Sequence, residues 1–218
     1  MRITLPSGTT AELARPRTPV GIGLVLFPDI MGLRPLFDDH CAQLAHDHGF
    51  TVCAFELFPG REELTLDERL EAGSTLDDDH VLGDALAAAA MTECDRAVAV
   101  GFCMGGMYAL KSVSTRRFER VAAFYGQIRL PEQWRGPGQR EPLELMAEGD
   151  PTTVLEIIGT ADGFTPPDDV LALEATGART VKYAGAEHGF VHDASRETHR
   201  RADAADAWAI VIAWLKGL

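Results

Sequence analysis

Residues 20–27 read VGIGLVLF, and no other feature limits the possible fold of this chain so sharply. A strand with one wet face alternates apolar and polar residues, whereas a run apolar at nearly every position is buried on both faces, as in parallel sheets. Residues 51–55 (TVCAF) read as a second buried strand, and 96–101 (RAVAVG), 121–125 (VAAFY), 153–158 (TVLEII) and 180–183 (TVKY) are four further strand candidates. Helical stretches are predicted between them. One covers residues 34–48, with Gly49 just past its end. Another covers 77–91, with aspartates at its start and alanines inside. The others cover 105–114, 168–175 and 195–215, the last carrying Trp208, Ile212 and Leu215 at helical spacing. Strands that alternate with helices need right-handed crossovers, which cover both faces of a mainly parallel sheet. The expected fold is α/β, a three-layer sandwich, as a single domain over residues 1–218. Residues 56–75 and 127–150 break the rhythm and are expected to form lids or binding loops.

A chain of 218 residues with 46% hydrophobic and 24% charged residues can bury an ordinary core, so disorder is excluded. Its net charge of −13 repels phosphate backbones and anionic lipid, which argues against nucleic-acid and membrane-surface partners. The longest uninterrupted apolar runs, 85–91 and 209–215, fall well short of the roughly 18 residues of a membrane span. The first residues show no secretory h-region. Four cysteines (Cys41, Cys53, Cys94 and Cys103) without a tight framework fit reduced thiols and a cytoplasmic setting.

The chemistry concentrates where residues 96–101 run into Gly101-Phe-Cys103-Met-Gly-Gly106 and then a helix. This is the nucleophile-elbow pattern with cysteine in place of serine. A nucleophile on such a strained turn needs small neighbours, here Gly101 and Gly105, so that backbone segments can approach closely. The turn sets the sulfur at a helix N-terminus, which favours a thiolate, and leaves the Met104 N–H to hold an oxyanion. Downstream, one strand leads into Asp162 and the next into His188. Ligands of open α/β sheets bind at these strand ends, and nucleophile, acid, histidine is the α/β-hydrolase order.

With these pieces in place, the sequence resembles the dienelactone hydrolase (carboxymethylenebutenolidase) family of the α/β-hydrolase fold over nearly its whole length. The resemblance is carried by Phe27-Pro-Asp-Ile-Met-Gly32, Gly101-Phe-Cys103-Met-Gly-Gly106, Phe124-Tyr-Gly126, Asp162-Gly-Phe-Thr-Pro166 and His188-Gly-Phe190. It implies a hydrolase of small lactones or esters with a Cys103–His188–Asp162 triad, no cofactor and no metal, acting as a monomer or homodimer. Oxyanion donors would be the Ile30 and Met104 amides. The family's glutamate, which holds the resting thiol and takes its proton, corresponds to Asp29, one methylene shorter. The family arginine four residues after the histidine is replaced by His192, a pH-dependent anion partner. A second family arginine is matched to Arg69. Tyr125, Phe164, His192 and Arg69 are the expected substrate-pocket residues.

Other readings carry less. His46 and His48 do not share a helix face, and the aspartates near His40 and His80 suit helix N-termini better than a metal. A glutamine-amidotransferase-like cysteine enzyme places its acid soon after the histidine, whereas here Asp162 precedes His188. A hydrolase fold kept as an inactive binding or regulatory protein is suggested only by the departures at positions 29 and 192.

Overall fold

The computed structural model describes residues 1–217. The chain opens with strands β1 (Arg2–Thr4) and β2 (Thr10–Ala14), then β3 (Ile22–Phe27), helix α1 (Pro35–His48) and β4 (Thr51–Phe55). Helices α2 (Leu66–Ala72) and α3 (Asp78–Met91) lead to β5 (Arg96–Phe102), α4 (Met104–Lys111) and β6 (Arg120–Phe124). The remainder is α5 (Pro142–Met146), β7 (Val154–Gly159), α6 (Pro167–Glu174), β8 (Arg179–Tyr183) and α7 (Arg201–Lys216).

All eight strands join one sheet in the order β1-β2-β4-β3-β5-β6-β7-β8. Pairing is parallel from β4 through β8, while β1–β2 and β2–β4 are antiparallel. This is the expected α/β sandwich of the α/β-hydrolase type. Side chains of β3 alternate between two cores, as strand geometry requires. Ile22, Leu24 and Leu26 face the core under α1 and α7, with Phe37, Cys41, Leu44, Ala207 and Val211. Val25 and Phe27 face the opposite core, which holds Val81, Ala85 and Ala88 of α3 and Met107 and Leu110 of α4.

Local chemistry sets the helix ends. Pro35 opens α1, and Gly49 closes it in the left-handed conformation (φ 77°), its N–H bonding the Ala45 carbonyl. Thr65 and Glu68 form a capping box on α2, and Asp77 caps α3 through the His80 N–H. The aspartates singled out near His80 are therefore helix-start residues.

Three details differ from expectation. The antiparallel β1–β2 hairpin was not foreseen. The final helix begins at Arg201 rather than 195. The two irregular segments contain α2 and α5 and pack together, with Trp134 Nε1 donating to the Leu70 carbonyl at 3.1 Å. No described helix is long and apolar enough to cross a membrane.

The chain passes from β3 to β4 on one side and returns to β5 on the other, so β3 and β5 are sheet neighbours with connections that diverge. The strand ends beside such a switch point leave a crevice, the usual ligand position in open α/β sheets.

Candidate active site

Cys103 occupies that crevice. It stands between β5 and α4 at φ 55° and ψ −121°, a left-handed-side backbone that non-glycine residues rarely adopt. Crowding makes the conformation possible and holds it. A Cβ on Gly105 would lie 2.0 Å from the Pro28 carbonyl oxygen, and one on Gly101 would lie 2.1 Å from the Gly105 oxygen. The Cys103 N–H is anchored on the Phe124 carbonyl at 3.0 Å. Met104 is the first residue of α4, so its N–H has no acceptor within the helix. The loop that carries Ile30 leaves β3 through Pro28, directly against Gly105.

His188, in the loop after β8, makes a 2.8 Å hydrogen bond from Nδ1 to Asp162 Oδ2. Asp162 follows β7, and its other oxygen accepts the Phe164 N–H at 2.8 Å. Burial lowers the His188 pKa, but the hydrogen bond to Asp162 and the neighbouring Cys103 sulfur outweigh it and lift the value to about 9. Tyr125 and Phe164 set their rings edge-on to the imidazole at 5.1 and 4.8 Å between centroids. Phe164 is 59% exposed and forms an apolar lip beside His188. Gln127 Nε2 also donates to the Cys103 sulfur, at 3.7 Å.

The other cysteines have a different character. Cys41 and Cys53 are buried among apolar side chains; burial pushes the Cys41 thiol up strongly and Cys53 up to about 12. Cys94 is half-buried in the turn before β5.

Three expectations need correction. Asp29 was expected to gate the thiol, but its carboxylate is committed elsewhere. Oδ1 and Oδ2 accept from Arg34 at 2.6 and 2.9 Å, Oδ2 also accepts from His192 Nε2 at 2.8 Å, and the Met31 N–H reaches Oδ1 at 3.0 Å. Burial raises the Asp29 pKa, yet the His192 and Arg34 hydrogen bonds and the arginine charge hold it well below the usual carboxylate range. A carboxylate stabilised in this way is a poor proton acceptor.

His192 was expected on the pocket wall. It is only 2% exposed, and burial holds its imidazole neutral. With Nε2–H donated to Asp29, Nδ1 accepts the Tyr125 hydroxyl at 2.5 Å. Both nitrogens are taken, so the ring is a strut between Asp29 and Tyr125. Tyr125 itself is fully buried, in reach of the site only as packing against His188.

Arg69 was expected to face substrate. It is 1% exposed and pairs with the equally buried Glu56 at 3.0 Å. Its guanidinium also donates to the Ile30 carbonyl at 3.3 Å and the Glu62 carbonyl at 2.7 Å. Glu56 in turn accepts the Leu33 and Phe58 N–H groups at 2.7 and 2.8 Å. The pair clamps the Ile30 loop to the segment after β4.

Sequence reasoning missed Arg34, Glu56, Gln127 and Glu156. Glu156 is fully buried on β7, where its Oε1 accepts the Gly126 N–H at 2.8 Å; burial pushes its pKa well above the carboxylate range. A glutamate inside the run TVLEII was a visible signal, because acids are seldom buried unpaired. Gln127 follows the end of β6 and so satisfies the same strand-end rule that picked out Asp162 and His188.

Among curated proteins, a Bradyrhizobium protein named "Probable 2-oxo-3-(5-oxofuran-2-ylidene)propanoate lactonase" is 28% identical over 227 residues, covering 94% of this chain and 88% of that one. A Klebsiella pneumoniae structure solved as a candidate dienelactone hydrolase superposes with a TM-score of 0.85 at 22% identity, covering 100% of this chain and 98% of the other. A dienelactone hydrolase-like promiscuous phosphotriesterase from metagenomic libraries gives 0.74 at 19% identity, covering 100% and 97%. At these identities the two structures establish the shared fold. The dienelactone hydrolase family profile matches residues 9–218. The chain belongs to the dienelactone hydrolase family and is a hydrolase of ester and lactone bonds.

Proposed function

We propose that the chain hydrolyses small lactones or carboxylic esters through Cys103 as nucleophile, His188 as proton carrier and Asp162 as the group that orients the histidine. The observation that carries this reading is the 2.8 Å His188–Asp162 hydrogen bond beside a cysteine on a strained elbow. The Cys103 thiolate adds to the substrate carbonyl, and the Met104 and Ile30 amides hold the resulting oxyanion. The C–O bond breaks as His188 gives its proton to the departing alkoxide, leaving a thioester. His188 then removes a proton from water, hydroxide displaces sulfur, and the acid leaves with the thiolate restored.

The burial of Arg69 and His192 bears on substrate choice. Neither side chain offers a surface to a substrate carboxylate, and Phe164 presents an apolar edge, so we infer a preference for uncharged lactones and esters. The name of the Bradyrhizobium relative points to a lactone that carries a carboxylate. The four unpaired cysteines support a reducing, cytoplasmic setting.

A panel of lactones and esters, each as the free acid and as its methyl ester, tests the reading. Faster turnover of the neutral member of each pair is expected. A preference for the free acids refutes the substrate inference, and absence of turnover across the panel refutes the function.

A further inference from the structure

We propose that Gln127 holds the nucleophile of this enzyme, its side-chain amide donating a hydrogen bond to the Cys103 sulfur that favours the thiolate before substrate enters. The inference rests on Cys103 being the nucleophile.

Gln127 is 4% exposed and its Nε2 lies 3.7 Å from Cys103 Sγ. Its Oε1 is buried and has no hydrogen-bond partner among the described residues. A buried amide kept for packing would satisfy both ends. This one leaves its carbonyl end unpaired and turns its N–H end to the sulfur.

The backbone delivers it there at some cost. Tyr125, two residues earlier, sits at φ 44°, an uncommon conformation for a bulky side chain. Gly126 is pinned by Glu156 Oε1 at 2.8 Å and packs so closely on α4 that a Cβ would lie 2.6 Å from the Gly106 carbonyl carbon. Two strained or crowded positions therefore precede the residue that turns its amide donor to the sulfur.

His188 is the catalytic donor beside the sulfur, and the remaining side chains around it offer no further one. His188 approaches it from the loop after β8, with Asp162 behind the ring and the buried acid Glu156 beyond. The Tyr125 hydroxyl is given to His192, so it has no proton to offer sulfur. The first turn of α4 carries no acidic residue. From the loop after β3, Asp29 spends its oxygens on Arg34, His192 and the Met31 N–H. An N–H donor stabilises the charged form of its acceptor, whereas a carboxylate in that position favours the neutral thiol. A neutral amide from the segment after β6 thus faces the sulfur while the expected acid is engaged elsewhere, and activation needs no carboxylate rearrangement on substrate binding.

The test uses Gln127→Met, which keeps the unbranched length and removes the donor, in a Cys94→Ala background with Cys41 and Cys53 buried. Alkylation of Cys103 by iodoacetamide is followed against pH, with ultraviolet thiolate absorbance as a second readout and thermal unfolding as the control for structure. The midpoint of the alkylation profile is expected to rise by about one pH unit, so that alkylation below the midpoint slows about tenfold. Gln127→Leu, which also lacks a donor, is read alongside. An unshifted midpoint in either variant that folds overturns the proposal. Because alkylation needs no substrate, the result is independent of whether the ester and lactone panel is turned over.

Discussion

Replacing Asp162 with asparagine removes the charge that helps to hold the His188 proton. The lift of the His188 pKa from 6.5 to about 9 is net of a burial effect that acts in the opposite direction. A shift of this size corresponds to about 3 kcal/mol, shared between Asp162 and the Cys103 sulfur. Without the carboxylate only the Cys103 sulfur opposes burial, so the imidazolium should deprotonate at lower pH than in the parent. The direction of the pH effect follows from the proposed chemistry. The acylation step needs the imidazolium as proton donor, so the parent should lose kcat/KM as pH rises through about 9, and Asp162→Asn should lose it at lower pH. The fold follows the same sign: the contribution of a raised histidine is fully present below 6.5 and is lost as pH rises through about 9. The overall loss in kcat/KM at neutral pH should be on the order of 10²- to 10⁴-fold. The assay is kcat/KM for an uncharged ester from about pH 6 to 10, with His188 protonation followed by NMR. An alkaline limb that stays near 9 in Asp162→Asn refutes the argument.

Glu156 is protonated in the fold and ionises once unfolded, so it lowers stability as pH rises above 4.5. Glu156→Gln keeps the acceptor for the Gly126 N–H and should gain on the parent by about 1.4 kcal/mol per pH unit above that point. Urea denaturation at several pH values measures this, and a pH-independent difference contradicts it. Arg69→Ala leaves the buried Glu56 carboxylate without its cation and should cost about 3–5 kcal/mol. A loss below about 1 kcal/mol in denaturant titration would show that Glu56 has neutralised itself or reached water.

Strands β3 to β7 were legible because each is buried on both faces and so reads as an apolar run. The edge strand β8, with Arg179 and Lys182 exposed, was marked only by its place in the alternation of strands and helices. The β1–β2 hairpin was not, because TAELA alternates with alanine and glutamate, which are poor strand formers, and only Ala11 and Leu13 turn inward. The start of α7 at Arg201 was obscured because residues 195–200 are polar and resemble an exposed first turn.

Position and direction separate cleanly in the site. Cys103, Asp162 and His188 each follow a strand, so sheet topology sets all three at the same end of the sheet, and the loop after β8 carries His188 back to Asp162 and Cys103. The directions of Asp29, His192 and Arg69 depend on partners that the spacing does not reveal. Arg34 draws Asp29 away from the sulfur, Tyr125 and Asp29 cap both nitrogens of His192, and Glu56 turns Arg69 inward. Gln127 was passed over because an amide has no charge to mark it as a partner for a thiol.

The central claim is that Cys103 forms a covalent acyl-enzyme, and intact-mass spectrometry during turnover of a slow ester tests it most directly. The account predicts a mass increase equal to the acyl group, mapped by peptide analysis to Cys103. It also predicts that Cys103→Ala shows no adduct and loses kcat/KM by roughly three orders of magnitude or more. An acyl group carried on Cys94 or another residue, or undiminished turnover by a folded Cys103→Ala protein, contradicts it.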